Sequence, residues 1–398
     1  PLAGESGIAH TRWATHGEPT VGNAHPHQDC SGEIAVCHNG IIENADVLRA
    51  ELIRRGHEFH SETDTEVLSH LIEEHWLPPL HLSVARALSM VEGTFGIAVM
   101  SSREPGRIVC ARRGSPLLIG LGRGQIFAAS DAAALLPYTR RVVYLDDGEM
   151  AVIDSSGCDI LSMDAMSRIV KPVEVLDWDL EAAERGGHAH FMLKEILEQP
   201  TSLEATLRGR IQRSTPAVKL GGMSEVAGVL SDARRIIFTA CGTSWHAGLI
   251  GKFMVEEYAR VQADVEYASE WRYRNPVLEP GTVVVGVSQS GETADTLAAL
   301  SLAREKGATT LGIVNVVGSS IARATDAGMY LHAGPEIGVA STKAFTSQVA
   351  AMALFSLYLG RQRGLDPEVT RRVLSELQQL PDKVRTILAR ADELEGMA

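Results

Sequence analysis

The sequence predicts two architectures in series: an α+β domain on antiparallel sheets, then an α/β domain on a parallel sheet of about five strands. Three observations carry that prediction. Between Phe95 and Ile153, short apolar runs follow one another with Gly-rich turns and no long helix, the pattern of antiparallel strands. From Ile236 onward, apolar runs alternate with helical ones at the spacing of strand–helix–strand units. Among them, Gly281 to Thr293 reads GTVVVGVSQSGET. Thr282 to Val287 is an unbroken apolar and β-branched run, as in a strand buried on both faces, and it ends abruptly in hydroxyls before a helix over Ala294 to Lys306. A polar loop between the carboxyl end of a core strand and the amino end of a helix is where open α/β sheets bind ligands, and where backbone N–H groups and the helix dipole attract an anion. The same residues also fit an ordinary Ser- and Gly-rich turn with a capping hydroxyl.

At 398 residues the chain has room for two or three domains. With 45% apolar and 22% charged residues it is globular in composition, which excludes a largely disordered protein. A net charge of −13, with no basic patch, argues against nucleic acid or an anionic membrane as partner. The five cysteines, Cys30, Cys37, Cys110, Cys158 and Cys241, lack CxxC spacing. Neither a disulfide framework nor a zinc ribbon is indicated, and a reducing cytoplasm fits. No apolar run reaches the ~18 residues of a membrane span, and no signal peptide is visible, although the chain opens on Pro1 in a sequence that already reads as internal.

Along the first half, Ile8 to Gly17 (IAHTRWATHG) alternates as a strand does before a loop at Thr15 to Pro19. Arg12, with two histidines beside Trp13, offers a bidentate grip on a carboxylate, or is a surface arginine among structural histidines. His25 and His27 form a His-x-His pair before Cys30, but no further ligand completes a metal spacing, so the pair reads as structural and no metal is expected. Glu33 to Cys37 is a short strand. Asn39–Gly40 behind it is the strongest short hairpin signal, and a two-residue turn is the reading that sequence favours; the alternative aims the Asn39 amide and the Gly40 N–H at one oxyanion. Val47 to Arg55 and Val67 to Glu74 are helices. Ser61 to Glu66 precedes the second, and Ser61 to Asp64 has capping-box-like spacing, which makes these carboxylates cap residues, while Asp64 could instead meet a substrate ammonium. Strands follow at Phe95–Met100, Arg107–Ala111, Leu117–Leu121, Gln125–Ala129, Val142–Leu145 and Met150–Ile153.

In the second half His190 to Gln199 is a helix stopped by Pro200, and two more helical stretches lead to Arg235. Strands are expected at Ile236–Thr239, Ala263–Tyr267, Thr282–Val287, Thr310–Asn315 and Met329–His332. Small polar loops follow four of them: Cys241 to Ser244, Ser288 to Thr293, Gly318 to Ser320, and Gly338 to Lys343, which opens a helix to about Leu359. In a parallel sheet all four face one edge, and that convergence of hydroxyls raises a phosphate site above an ordinary turn. Neither GxxxxGK[ST] nor GxGxxG occurs, so this is neither a P-loop nor a dinucleotide site. Asp366 to Glu395 reads as two amphipathic helices.

HTRWATHG, NAHPH, HNGIIEN, SETDTE, ACGTS, SQSGETADT and GVASTKAFTSQ resemble, in this order and across essentially the whole chain, the glutamine–fructose-6-phosphate aminotransferases (isomerising), or glucosamine-6-phosphate synthases. The resemblance implies a class II glutamine amidotransferase domain of the N-terminal-nucleophile type over residues 1–178 and a linker at 179–190. A first sugar isomerase (SIS) domain would follow at 191–362, then a helical linker at 363–398. Arg12 would bind the glutamine α-carboxylate, with Thr15 and His16 in the same pocket. Asp64 would take the α-ammonium, Asn39 and Gly40 would form the oxyanion hole, and Trp13 would gate the passage of ammonia. Ser288, Gln289, Ser290 and Thr293 would hold the sugar phosphate, with Thr243, Ser244, Val339 and Ser341 against the sugar. L-glutamine and fructose 6-phosphate are the implied substrates, without a cofactor, in a cytoplasmic homodimer that makes glucosamine 6-phosphate.

The family's nucleophile is an N-terminal Cys, and its second sugar isomerase domain carries a Schiff-base Lys. Neither has a counterpart in these residues, so the chain reads as an internal fragment that keeps both binding pockets in part. Two rival readings stand beside it. One is another class II glutaminase, such as amidophosphoribosyltransferase, whose acidic diphosphate motif this sequence lacks. The other is a non-catalytic sugar-phosphate-binding regulator.

Overall fold

The computed structural model describes residues 4–11, 18, 20–176, 185–212, 216–391, 393 and 396, in two compact units, Pro1–Asp177 and Trp178–Ala398. In chain order the first unit contains β1 (His27–Gln28), β2 (Ile34–Ile42), α1 (Ala45–Arg54), α2 (Glu66–Glu74), α3 (Leu80–Leu88), β3 (Gly93–Ser101), β4 (Ile108–Arg113), β5 (Leu118–Leu121), β6 (Ile126–Ala129), β7 (Arg141–Tyr144), β8 (Glu149–Asp154), β9 (Gly157–Ser162) and β10 (Glu174–Val175). They form two antiparallel sheets, in the orders β1-β2-β3-β4-β8-β9 and β10-β7-β5-β6.

Alternation along the strands divides the core. Val36, Phe95, Ile97, Val99, Val109 and Val152 pack with Leu48, Leu52, Leu68, Leu71 and Val84 of the helices, whereas Cys110, Ala151 and Ile153 turn the other way, toward Ile119 and Val143 of the second sheet. Helix α3 was absent from the sequence reading, although its buried Leu80, Val84, Ala87 and Leu88 recur at helical spacing.

Two expectations fail here. The described residues before Arg12 carry no strand, and residues 12–17 lie outside the described residues. Asn39–Gly40 is not a turn: β2 runs through both and pairs with β3 continuously from Ile34 opposite Ser101 to Ile42 opposite Gly93. The ladder overrides the local turn preference. Glycine is required at position 40 for another reason, since φ is +135° and a Cβ there would stand 2.1 Å from the Thr94 carbonyl oxygen.

The second unit contains α4 (Phe191–Leu197), α5 (Gln199–Leu207), α6 (Ala227–Asp232), β11 (Arg235–Ala240), α7 (Gly242–Ala259), β12 (Gln262–Tyr267), α8 (Ala268–Trp271), β13 (Thr282–Ser288), α9 (Ala294–Glu305), β14 (Thr309–Val314), α10 (Ser320–Ala324), β15 (Ala327–Tyr330), α11 (Lys343–Gln362) and α12 (Pro367–Leu388). Its five strands are all parallel, in the order β12-β11-β13-β14-β15. The unbroken apolar run of β13 is buried along its length: Val283, Val285 and Val287 enter one core with Phe355 and Leu359 of α11, and Val284 enters another with Leu300 of α9. Strand order reverses between β11 and β13, so the loops after these two strands flank the crevice where doubly wound sheets place their ligands.

One boundary differs from expectation. Pro200 does not merely end a helix; it sits in the first turn of α5, where a missing N–H leaves nothing unsatisfied. The terminal segment carries a long helix, α12, continuous through Pro381, then a turn at 389–390, with Ala391 and Glu393 helical again beyond it. No described helix is long and apolar enough to cross a membrane.

Candidate functional site

In the first unit the candidate centre lies along β2. His10 Nε2 stands 2.5 Å from Asn39 Oδ1, an arrangement in which the ring N–H occupies the amide oxygen and leaves the Asn39 amide N–H groups as donors. Two residues beyond Gly40 on the same strand, the Ile42 N–H donates to Asp64 Oδ2 at 2.8 Å. Asp64 is therefore not a helix-cap residue, and α2 has no side-chain cap at its amino end. Glu66 instead turns back to accept the N–H groups of His60 and Ser61 at 2.7 and 2.8 Å. Burial would raise its pKa, but His70 and these donors outweigh it and hold the carboxyl down at about 2.

The segment carrying Asp64 is clamped from three sides. Arg49 donates to the carbonyls of Ser61 and Thr63, Asn23 Oδ1 accepts the Glu62 N–H at 2.9 Å, and His27 Nε2 lies 2.9 Å from Thr63 Oγ1. Sequence reasoning missed Arg49 and Asn23, which have no local pattern. His38 is buried between Thr65 Oγ1 and the Thr94 carbonyl. Burial pushes its pKa down, against the opposing pull of the Asp64 carboxylate. The histidine pair is structural in its contacts: His25 stacks on His10 and its Nδ1 accepts the His38 N–H, while His27 faces Thr63. Arg12, Trp13, Thr15 and His16 lie outside the described residues.

In the second unit the predicted residues gather at the carboxyl edge of the parallel sheet. After β13, Ser288 Oγ accepts the Gly291 N–H at 3.0 Å and lies 2.9 Å from Thr293 Oγ1, so these two hydroxyls shape the loop. Ser290 Oγ accepts the Glu292 N–H at 3.1 Å, and Gln289 is half-buried, its carbonyl accepting the Asn315 N–H. Thr293 begins α9 without a side-chain cap bond, which leaves that amino end to a ligand. Gly291, at φ +67°, must be glycine: a Cβ there would meet Ser319 Oγ at 2.0 Å.

After β11, Thr243 is exposed at the start of α7, while Ser244 is buried and accepts from Gln348 Nε2 at 2.9 Å, tying α7 to α11. After β15, Val339 is 88% exposed and Ser341 donates to Glu336 Oε2 at 2.8 Å.

Other groups that knit this edge escaped the sequence reading. Asn315, 1% exposed, donates to the Gly334 carbonyl at 2.6 Å and accepts the Ala333 N–H at 2.8 Å, locking the loops after β14 and β15 together. Glu195 of α4 accepts the N–H groups of Ile337 and Gly338. Lys343, 2% exposed, opens α11 as a cation at this edge, and Glu198 pairs with it at 2.6 Å. The only sequence signal was the two carboxylates of KEILEQ ahead of Pro200.

Chemically, the first centre combines amide donors with a nearby carboxylate, which suits an amino acid whose acyl group develops oxyanion charge. The second combines hydroxyls with an uncapped helix amino end, which suits a phosphorylated polyol.

Comparison with known proteins agrees with this division. Residues 10–137 match the glutamine amidotransferase domain family and residues 229–358 the SIS domain family. The chain is 52% identical over 401 residues to the glutamine–fructose-6-phosphate aminotransferase (isomerizing) of Chlorobaculum tepidum, covering 100% of this chain and 65% of that protein. It is 48% identical over 389 residues to the protein of the same name from Thermus thermophilus, covering 98% of this chain and 63% of that protein. Among solved structures, the C-terminal domain of glucosamine-fructose-6-phosphate aminotransferase from Francisella tularensis superposes with a TM-score of 0.52 at 36% identity, over 54% of this chain and 60% of that one. The chain therefore spans somewhat under two thirds of the length of the curated relatives it matches. With an amidotransferase domain followed by a SIS domain, and with identity sustained from end to end, it belongs to the glutamine–fructose-6-phosphate aminotransferase family.

Proposed function

We propose that this chain serves the transfer of the glutamine amide nitrogen to fructose 6-phosphate, yielding glucosamine 6-phosphate, in a cytoplasmic homodimer without nucleic-acid or membrane partners. Residues 1–178 would form the glutaminase part and residues 191–362 the first sugar isomerase domain, joined by a linker at 179–190 and followed by a helical linker at 363–398. Asn39 and Gly40 would donate to the oxyanion formed as the glutamine amide is attacked, and Asp64 would receive the α-ammonium. Arg12, Thr15 and His16 would complete the glutamine pocket, with Trp13 as the gate for ammonia. Ser288, Gln289, Ser290 and Thr293 would hold the phosphate and Thr243, Ser244, Val339 and Ser341 the sugar.

The observation that carries the reading is the loop Ser288 to Thr293. It follows β13 at the reversal of strand order, and its hydroxyls and the uncapped start of α9 sit at one edge of the sheet. Calorimetric titration of fructose 6-phosphate against wild type and Ser290→Ala tests it. Loss of a hydrogen bond to a charged phosphate costs about 1.5–3 kcal/mol, which weakens binding roughly 10- to 150-fold. Equal affinities for the two proteins would remove this loop from the site.

A further inference from the structure

Four side chains that take no part in either centre converge in the first unit. Cys30 sits in the turn between β1 and β2, His57 follows α1, and His70 and Glu73 lie one turn apart on α2. Cys30 Sγ is 3.6 Å from His57 Nδ1 and 3.5 Å from His70 Nδ1. Glu73 Oε2 is 3.1 Å from His57 Nδ1 and 3.3 Å from His70 Nδ1. All four ligand atoms lie within 4.8 Å of one another. We propose that Cys30, His57, His70 and Glu73 form a four-coordinate site for a structural zinc ion.

These four sulfur–nitrogen and nitrogen–oxygen separations lie close to those a tetrahedral ion imposes. Bonds of about 2.3 Å to sulfur and about 2.0–2.2 Å to nitrogen or oxygen put a thiolate about 3.6 Å from an imidazole nitrogen, and an imidazole about 3.4 Å from a carboxylate oxygen. A thiolate and a carboxylate also balance the charge of a dication, and one soft, two intermediate and one hard donor suit zinc better than calcium or magnesium.

The proton arrangement points the same way. Without an ion, the two Nδ1 atoms have only the thiol and the single oxygen of Glu73 to meet. His70, 1% exposed, has its Nε2 buried beyond hydrogen-bond distance of any partner, facing Glu66 Oε1 at 3.8 Å. An ion on Nδ1 fixes the ring proton on Nε2, on the side of that carboxylate. His57 is oriented likewise, with Nε2 3.1 Å from Glu74 Oε2, the outer carboxylate partner that metal-bound histidines commonly have. Four protein ligands leave no open position, so the ion holds structure and supplies no reaction chemistry. Its ligands bracket Asp64 in sequence and fasten the β1–β2 turn to α2.

The test uses the 398-residue chain, stripped with a chelator and reloaded with cobalt(II) or zinc. Wild type is expected to bind one equivalent and to show, with cobalt, a sulfur-to-metal charge-transfer band together with intense tetrahedral d–d bands. Cys30→Ser should lose the charge-transfer band, and His57→Ala should weaken binding at least tenfold, whereas Cys158→Ser should behave as wild type. Zinc should raise the unfolding temperature of wild type and not that of Cys30→Ser. Should Cys30→Ser fail to fold, the wild-type cobalt spectrum and stoichiometry decide alone. Cobalt bound without a thiolate band, or metal content unchanged in Cys30→Ser, overturns the site, and neither outcome bears on glutamine or sugar binding.

Discussion

Replacing Gly40 by alanine should damage the first unit far more than the same change at Gly157, and the difference isolates one collision. Both glycines have φ near +140°, at +135° and +141°. Each alanine therefore carries the strain of a conformation that L-residues avoid, about 1–3 kcal/mol. At Gly157 nothing lies within 4 Å of the added Cβ. At Gly40 it meets the Thr94 carbonyl oxygen at 2.1 Å and His38 Nε2 at 2.9 Å. Thr94 belongs to β3, which cannot retreat without loosening the pairs Gly40–Phe95 and Asn39–Gly96. Such overpacking adds about 1–3 kcal/mol, so Gly40→Ala should cost about 2–6 kcal/mol in all. Against a typical total of about 5–15 kcal/mol that is a large share, and at about 2–4 °C per kcal/mol it lowers the melting temperature by roughly 5–20 °C. The assay is thermal unfolding of both variants, with hydrogen exchange in β2 and β3 to assign the transition. If the two alanines destabilise equally, the close approach of β2 to Thr94 is not the constraint at position 40.

Asn315→Ala removes both amide bonds that join the loops after β14 and β15, stranding the Ala333 N–H and the Gly334 carbonyl. At about 1–3 kcal/mol for each unsatisfied group, denaturant unfolding should show the second unit weakened by about 2–6 kcal/mol, and a loss under 1 kcal/mol would refute the locking role. His38 titrates below its ordinary 6.5 because burial disfavours its charged form. The unfolded chain therefore binds more protons than the folded one as pH falls past about 6.5, so stability is complete above that value and declines below it. Urea midpoints measured from pH 8 to about pH 5 should fall more steeply for wild type than for His38→Gln, and parallel profiles would contradict the assignment.

What the sequence revealed, and what it hid, follows the range of the forces involved. The parallel sheet was legible because β13 is buried on both faces, which leaves an unbroken β-branched run that no amphipathic element produces. Its loops were legible because hydroxyls directly after such strands are a local pattern. Asn39–Gly40 misled because a dipeptide's turn preference is worth less than a nine-residue strand paired along its whole length. Asp64 resembled a cap residue because its partner, the Ile42 N–H, lies 22 positions away. Asn315, Lys343 and the Cys30 cluster share that difficulty, since their partners come from distant segments. Only the His70–Glu73 spacing of three residues on one helix face was visible beforehand.

The electrostatics of the second unit also orient the proposed ligand. Three long helices, α7, α9 and α11, start at the carboxyl edge of the sheet, and each offers the partial positive charge of its first turn. At α11 that charge is already met by Glu336, whose Oε1 accepts the Thr342 and Ala344 N–H groups at 2.8 and 3.1 Å, and the adjoining Lys343 is neutralised by Glu198. At α7 and α9 no side chain caps the first turn. In a chain of net charge −13, the proposed sugar ester would find its favourable potential between these two helices, beside Ser288 to Thr293, and would be repelled by Glu336 at the third. In the proposed arrangement the phosphate would lie at the β13 loop, with the neutral hydroxyls of the sugar toward Thr243 and Ser341. Such a site would need no lysine: Glu336 occupies the start of α11, whereas at α9 the first-turn Asp295 is engaged by Arg272 at 2.8 Å and no side chain caps the helix.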